Sequence, residues 1–274
     1  MKEKVNHEQR AFFVWTVLAD CALKRRTITY KELGEEIGVI GGERVHQKVM
    51  RFNLSPIQNY CLENKLPPLS IVAVNQNTGL PGDGFIAWDV EDIPTGIQKV
   101  YDYNWRSLDN PFQYAEIGAT QIQLMEDIVN SPDSSETVYQ KVKVRGVAQQ
   151  LFRKALLKIY NCSCAFCGLT FEEALDASHI VPYAKSNASQ RLDVRNGILL
   201  CATHHKLFDG RLLTVSQDYT INFSGLPKKT GKLSQSDELH TVKLHGQKIN
   251  LPENNKHLPN KCYLAFHQAG LYQQ

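Results

Sequence analysis

Residues 199–210 read LLCATHHKLFDG, with two adjacent histidines, His204 and His205, three and four residues after Cys201. On a helix, neighbouring side chains project about 100° apart, so two adjacent imidazoles do not readily serve one centre. Working outward, Cys164-Ala165-Phe166-Cys167-Gly168 supplies a second short metal-type motif upstream. A C-x2-C turn closed by glycine lets two thiolates reach one ion, and structural zinc takes four sulfur or nitrogen ligands. Cys201-x2-His204 provides the other pair. The spacing therefore predicts a structural Zn2+ held by Cys164, Cys167, Cys201 and His204. Cys162 offers a third thiol nearby, but only Cys164 and Cys167 form a knuckle with Gly168. The competing reading makes these cysteines small buried hydrophobes.

Between the two pairs lies DASHIVPYAKSNASQRLDVRNGILLC, residues 176–201. Ser178-His179-Ile180-Val181-Pro182 reads as a short strand running into a proline loop. Asn196-Gly197 is a turn signal ahead of an apolar run. The order is strand, loop, strand, helix, with His179, Asn196 and His205 as its polar marks.

Residues 164–213, from CAFCG through HHKLFDGRLL, resemble an HNH endonuclease domain of the ββα-metal finger type. The resemblance extends over roughly residues 145–270. LHGQKINLP (244–252) and His267 are similar to the C-terminal extension of the restriction-type subgroup. It implies a hydrolase that cuts double-stranded DNA, in a restriction or phage-defence setting, with one catalytic divalent cation, Mg2+ or Mn2+. In this likeness His179 is the general base, Asn196 holds the loop that orients it, and His205 binds the cation. Asp209, four residues on, is a further metal ligand or holds a metal-bound water. Many members carry Asp or His where this chain has Ser178, so Asp176 and Ser178 are alternative ligands. Lys206, Arg211 and Arg195 are the candidate phosphate contacts. His240, His245, His257 and His267 read as surface or packing residues. The competing function is a zinc-stapled DNA-binding protein that does not cut; a third reading is an RNA- or protein-binding module.

Charge is divided unevenly. Residues 1–137 carry 13 Lys and Arg against 19 Asp and Glu, whereas residues 138–274 carry 18 against 9. A basic C-terminal half suits a polyanion. Hydrophobic residues make up 42% of the chain and charged ones 22%, as in a packed soluble protein, and no apolar run suits a membrane span. AFFVWTVLADCAL (11–23) is interrupted by Asp20 and reads as an amphipathic helix rather than a signal peptide, consistent with a cytoplasmic protein. With seven cysteines, four of them within 162–201, a metal site is favoured over disulfides.

The N-terminal half reads as helices at 6–24, 30–38 and 43–65, a strand at 70–74, a glycine-rich turn at 77–85 and a helix at 92–105. TYKELGEEIG and PLSIVAVNQNTGLPGDGF resemble the winged-helix DNA-binding domain of alkyltransferase-like proteins. The alkyltransferase active-site motif is missing, and Cys61 sits in another context, so alkyl transfer does not carry over. A DNA-reading role and a protein-contact role both remain open for this half. SPDSSE (131–136) reads as linker. The expected fold is α+β: a mostly helical winged-helix-like domain over 1–115, a linker over 116–140, and a zinc-stapled HNH domain over 141–274. Cutting both strands would call for a homodimer.

Overall fold

The computed structural model describes residues 6–39, 43–82, 85, 91–116, 118–142, 144–226 and 231–270, with α3 side chains described at Met50 and from Asn53 onward. The chain is α+β and divides into two compact units, Met1–Thr120 and Gln121–Gln274. No described helix is long and apolar enough to cross a membrane.

In the first unit, helix α1 (His7–Leu23) starts where the Asn6 side chain accepts hydrogen bonds from the amides of Glu8 and Gln9. Ala11, Val14, Trp15, Leu18, Cys21 and Ala22 recur at helical spacing and are buried. Strand β1 (Ile28–Thr29) leads into α2 (Tyr30–Glu36), which Thr29 and Glu32 close with a reciprocal capping box. After α3 (Glu43–Glu63) the chain enters a buried 3-10 turn, Leu69–Val72, and then strand β2 (Ala73–Val74). The expected strand over 70–74 is thus only its last two residues, because the apolar run before them packs as a tight turn. β1 and β2 pair in parallel. Among the described residues this unit has no antiparallel hairpin, and the expected wing at 77–85 lies partly outside them. Helix α4 (Ile93–Asp102) is capped by Asp92. Trp15 gathers Tyr60, Trp105 and Phe112 around it at ring separations of 5.6, 5.8 and 6.2 Å, forming the aromatic heart of the unit.

The second unit opens with α5 (Gln121–Asn130), α6 (Ser135–Val142) and α7 (Arg145–Ile159). The linker expected at 116–140 is therefore corrected: most of it is helix, with Leu124, Ile128, Val129 and Val138 buried. SPDSSE is a tight connection. Pro132 is buried in a 3-10 turn and Ser134 donates to the Ser131 carbonyl at 2.8 Å, so the polar residues satisfy a helix–helix turn.

Strands β3 (Leu175–His179) and β4 (Gly197–Cys201) form an antiparallel pair in which His179 faces Gly197 and Leu175 faces Cys201. The long loop between them carries a short helix, α8 (Ala188–Arg191). Helix α9 (Ala202–Asp209) follows β4 directly. A hairpin, β5 (Leu213–Val215) with β6 (Ile221–Phe223), leads to α10 (Gln235–His240) and α11 (Lys261–Ala269). His267 of α11 stacks on Phe208 of α9 at 3.7 Å and hydrogen-bonds the Phe208 carbonyl, bracing α9 from behind. His257 is likewise buried, bonded to the Val129 carbonyl. Both are packing residues, as expected.

β4 is buried along its whole length, with α7 pressed against it. A Cβ on Gly197 would stand 2.6 Å from both Leu156 Cδ1 and Phe152 Cζ. Gly197→Ala should therefore cost about 1–3 kcal/mol by overpacking. Because the displaced Phe152 ring stacks on His179 at 4.0 Å, the same substitution should disturb the site described next. Denaturant unfolding measures the loss; unchanged stability would show that α7 yields freely.

Candidate functional site

Two clusters meet on α9. In the first, one ligating atom from each of Cys164, Cys167, Cys201 and His204 lies within 4.8 Å of the other three. The chain reaches this geometry after α7 through a reversal, with Asn161 and Cys162 at φ 49° and 51°. The Cys164 amide then donates to the Leu169 carbonyl, and Gly168 turns the knuckle at φ +74°, where glycine is favoured. Cys201 ends β4, and His204 sits in the first turn of α9, fully buried. Its Nδ1 lies 3.2 Å from Cys201 Sγ and 3.6 Å from Cys164 Sγ, so Nδ1 is the ligating nitrogen. Hydrogen bonds from Cys201 and His204 hold the Cys164 thiol well below its usual range, while Cys201 is pushed up. Three sulfurs and one imidazole nitrogen this close are a donor set that fits structural zinc. Cys162 stands outside the four.

The second cluster faces the other way. His179 ends β3; its Nε2 lies 3.1 Å from the Arg191 carbonyl, a group that only accepts. The ring is stacked on Phe152 and stands edge-on to Tyr183 at 5.6 Å. Burial pushes its pKa down to about 4, so the imidazole is neutral near pH 7. Asn196 is fully buried and ties the β3–β4 loop together. Its Oδ1 accepts from the Val181 amide at 2.8 Å, and its Nδ2 donates to the Gln190 carbonyl at 3.1 Å and the Val181 carbonyl at 3.3 Å. The Asn196 carbonyl accepts from Ile180, the residue after His179.

His205 lies between two carboxylates. Nδ1 is 3.1 Å from Asp176 Oδ2, and Nε2 is 3.3 Å from Asp209 Oδ2. Asp209 first, and Asp176 with it, raise its pKa. The two acids touch opposite ring nitrogens, so they are not equivalent. The charges of His205 and Asp209 both reach His179. Ser178 is fully buried, and its hydroxyl makes no hydrogen bond to His205 or to either acid.

Residues 164–216 match the HNH endonuclease family. No curated protein matches the chain. The matched HNH domain holds the Cys3His cluster, His179, Asn196, His205 and Asp209, and it suggests a nuclease; α7 and the C-terminal extension lie outside it.

The basic residues around the HNH domain divide differently from expectation. Lys206 is exposed on α9. Arg211 follows α9 at φ 56°, and its guanidinium packs against Gly270. Arg195, expected at a phosphate, has its guanidinium paired to Asp193 at 2.9 Å and to Asp133 at 2.7 Å, through Nε and Nη2. The sequence reading missed Arg145, Arg191, Tyr139 and Tyr183. They cluster beside His179 from three separate segments, and no local spacing signals them.

Proposed function

We propose that this protein is a metal-dependent endonuclease that hydrolyses DNA phosphodiester bonds. The observation that carries this reading is that a backbone carbonyl fixes the tautomer of His179 while two carboxylates bracket His205. The Arg191 carbonyl requires a proton on His179 Nε2, which leaves Nδ1 to accept one. Asp176 accepts from Nδ1 of His205, and a cation between Nε2 and Asp209 would replace the proton there and make Nε2 its ligand.

His205 Nε2 and Asp209 would hold a Mg2+ or Mn2+ ion, whose charge would offset that of the phosphate and of the leaving oxygen. Asp176 is the orienting partner rather than a ligand, and Ser178 takes no part. His179 removes the proton from the attacking water at Nδ1. Phe152 and Tyr183 hold the base ring between them, and burial keeps it neutral and ready to accept a proton. Asn196 fixes the loop that supplies both the Arg191 carbonyl and the Ile180 amide contact, and so fixes the ring's direction. The Cys3His cluster anchors the start of α9, with zinc as its ion. One such site cuts one strand, so a double-strand break calls for two copies.

The test is nicking of supercoiled plasmid by the purified chain with Mg2+ or Mn2+. Conversion to open circles is expected; an inert, zinc-loaded, folded protein would contradict the proposal and favour a DNA-binding protein without cleavage. We extend the reading to restriction or phage defence, on the likeness of the tail to restriction-type members. Lowered phage plating on cells expressing the active chain, and not the nicking-dead one, is the corresponding cellular result.

A further inference from the structure

The loop between β3 and β4 places two guanidinium groups against one aromatic ring. The guanidinium carbons of Arg145 and Arg191 each lie 4.9 Å from the centre of the Tyr183 ring. Arg191 is anchored: it donates to the Tyr139 hydroxyl, lies over the Tyr139 ring at 5.1 Å, and its Nε donates to the Ser186 carbonyl at 3.1 Å. Arg145, the first residue of α7, is exposed. The same Tyr183 ring touches His179, and the Arg191 carbonyl sets the His179 tautomer, so the pair adjoins the base.

Two cations sharing one ring are less than about 10 Å apart, within a Debye length at 0.1 M salt, and they repel. Ring faces attract each cation separately but do not cancel that repulsion. Among the described residues neither guanidinium has a carboxylate within ion-pairing distance. Arg195, four residues from Arg191, shows the contrast, with two carboxylates on it. An uncompensated arginine pair with planar donor faces matches the charge and geometry of a phosphate group.

We propose that Arg145 and Arg191 together bind one backbone phosphate of the DNA strand that lies beside His179. This rests on the nuclease reading above and names the residues that hold its substrate. Arg145 lies before the segment that matches the HNH family, so the match does not assign it. Tyr183 is the ring that both guanidiniums share, and so holds them next to each other.

The test uses the full, zinc-loaded chain and a fluorescent DNA duplex without added Mg2+ or Mn2+, so that binding is read without cleavage. Affinity is measured across a salt series for wild type, Arg145→Ala and Arg145→Lys. Arg145→Ala should bind about 5–20-fold more weakly, and the slope of log affinity against log salt should become shallower by about one, as for one lost phosphate contact. Arg145→Lys should keep most of the slope. Because Arg145 is exposed, its melting temperature should match wild type. Wild-type affinity and slope in Arg145→Ala would overturn the proposal and leave the arginine as a packing partner of Tyr183. So would a wild-type chain that does not bind duplex DNA. Failure of the nuclease reading shows separately, as a chain that binds through Arg145 but does not nick when Mg2+ or Mn2+ is added.

Discussion

His179→Ala should lower DNA nicking by about 10³-fold, within the range that a positioned general base contributes. That is about 4 kcal/mol of barrier. The effect should fall on the chemical step, because the imidazole is no part of the Cys3His cluster and meets the arginine pair only at the Arg191 carbonyl and the edge of Tyr183, not at either guanidinium. Duplex affinity should stay within about 3-fold, and zinc content should stay at one per chain. His179→Gln provides a control for the cavity left over Phe152: it refills part of the space yet supplies no proton acceptor of suitable strength, so it should be equally inactive. Single-turnover cleavage at saturating protein, with circular dichroism on the same samples, measures all of this. If His179→Ala cleaves at more than a tenth of the wild-type rate, His179 is not the base.

The second large effect concerns the Cys3His cluster. His204→Ala removes one of the four proposed zinc ligands from a cluster that is buried apart from Cys167. The cluster fastens the turn after α7 to the junction of β4 and α9, and for such sites the metal's binding energy is folding energy. A loss of about 3–5 kcal/mol is expected, or about 10 °C in melting temperature for a unit of this size. Zinc should be released, and cleavage should fall because α9 carries His205. Thermal unfolding with metal analysis measures both; full zinc content at unchanged melting temperature would refute the ligand set.

Much of this site was legible because its signals are local. Two residues between ligands are enough to predict a shared ion, and Cys164, Cys167, Cys201 and His204 do converge. The strand–loop–strand–helix order around His179, Asn196 and His205 was legible from the turn at Asn196-Gly197 and the apolar run after it. What escaped depends on where side chains reach in space. Asp176 and Asp209 look alike in sequence, yet they touch opposite nitrogens of one ring. Arg195 reads as a free cation in sequence, yet Asp193 two residues before it and Asp133 from a distant turn both pair with its guanidinium. Arg145, Tyr139, Tyr183 and Arg191 come from two helices and the β3–β4 loop, so only the fold assembles them. SPDSSE has the composition of a linker because a tight helix–helix turn needs the same residues. SIVAV has the composition of a strand, yet most of it packs as a 3-10 turn.

LLCATHHKLFDG thus places two different duties on neighbouring residues. The roughly 100° between them turns His204 inward to the sulfurs and His205 outward to the acids. The direct measurement is zinc content and plasmid nicking, made in parallel on His204→Ala and His205→Ala. His204→Ala should lose zinc and stability. His205→Ala should keep one zinc per chain and its melting temperature while nicking is lost. Loss of zinc from both variants together would contradict the division of labour on α9.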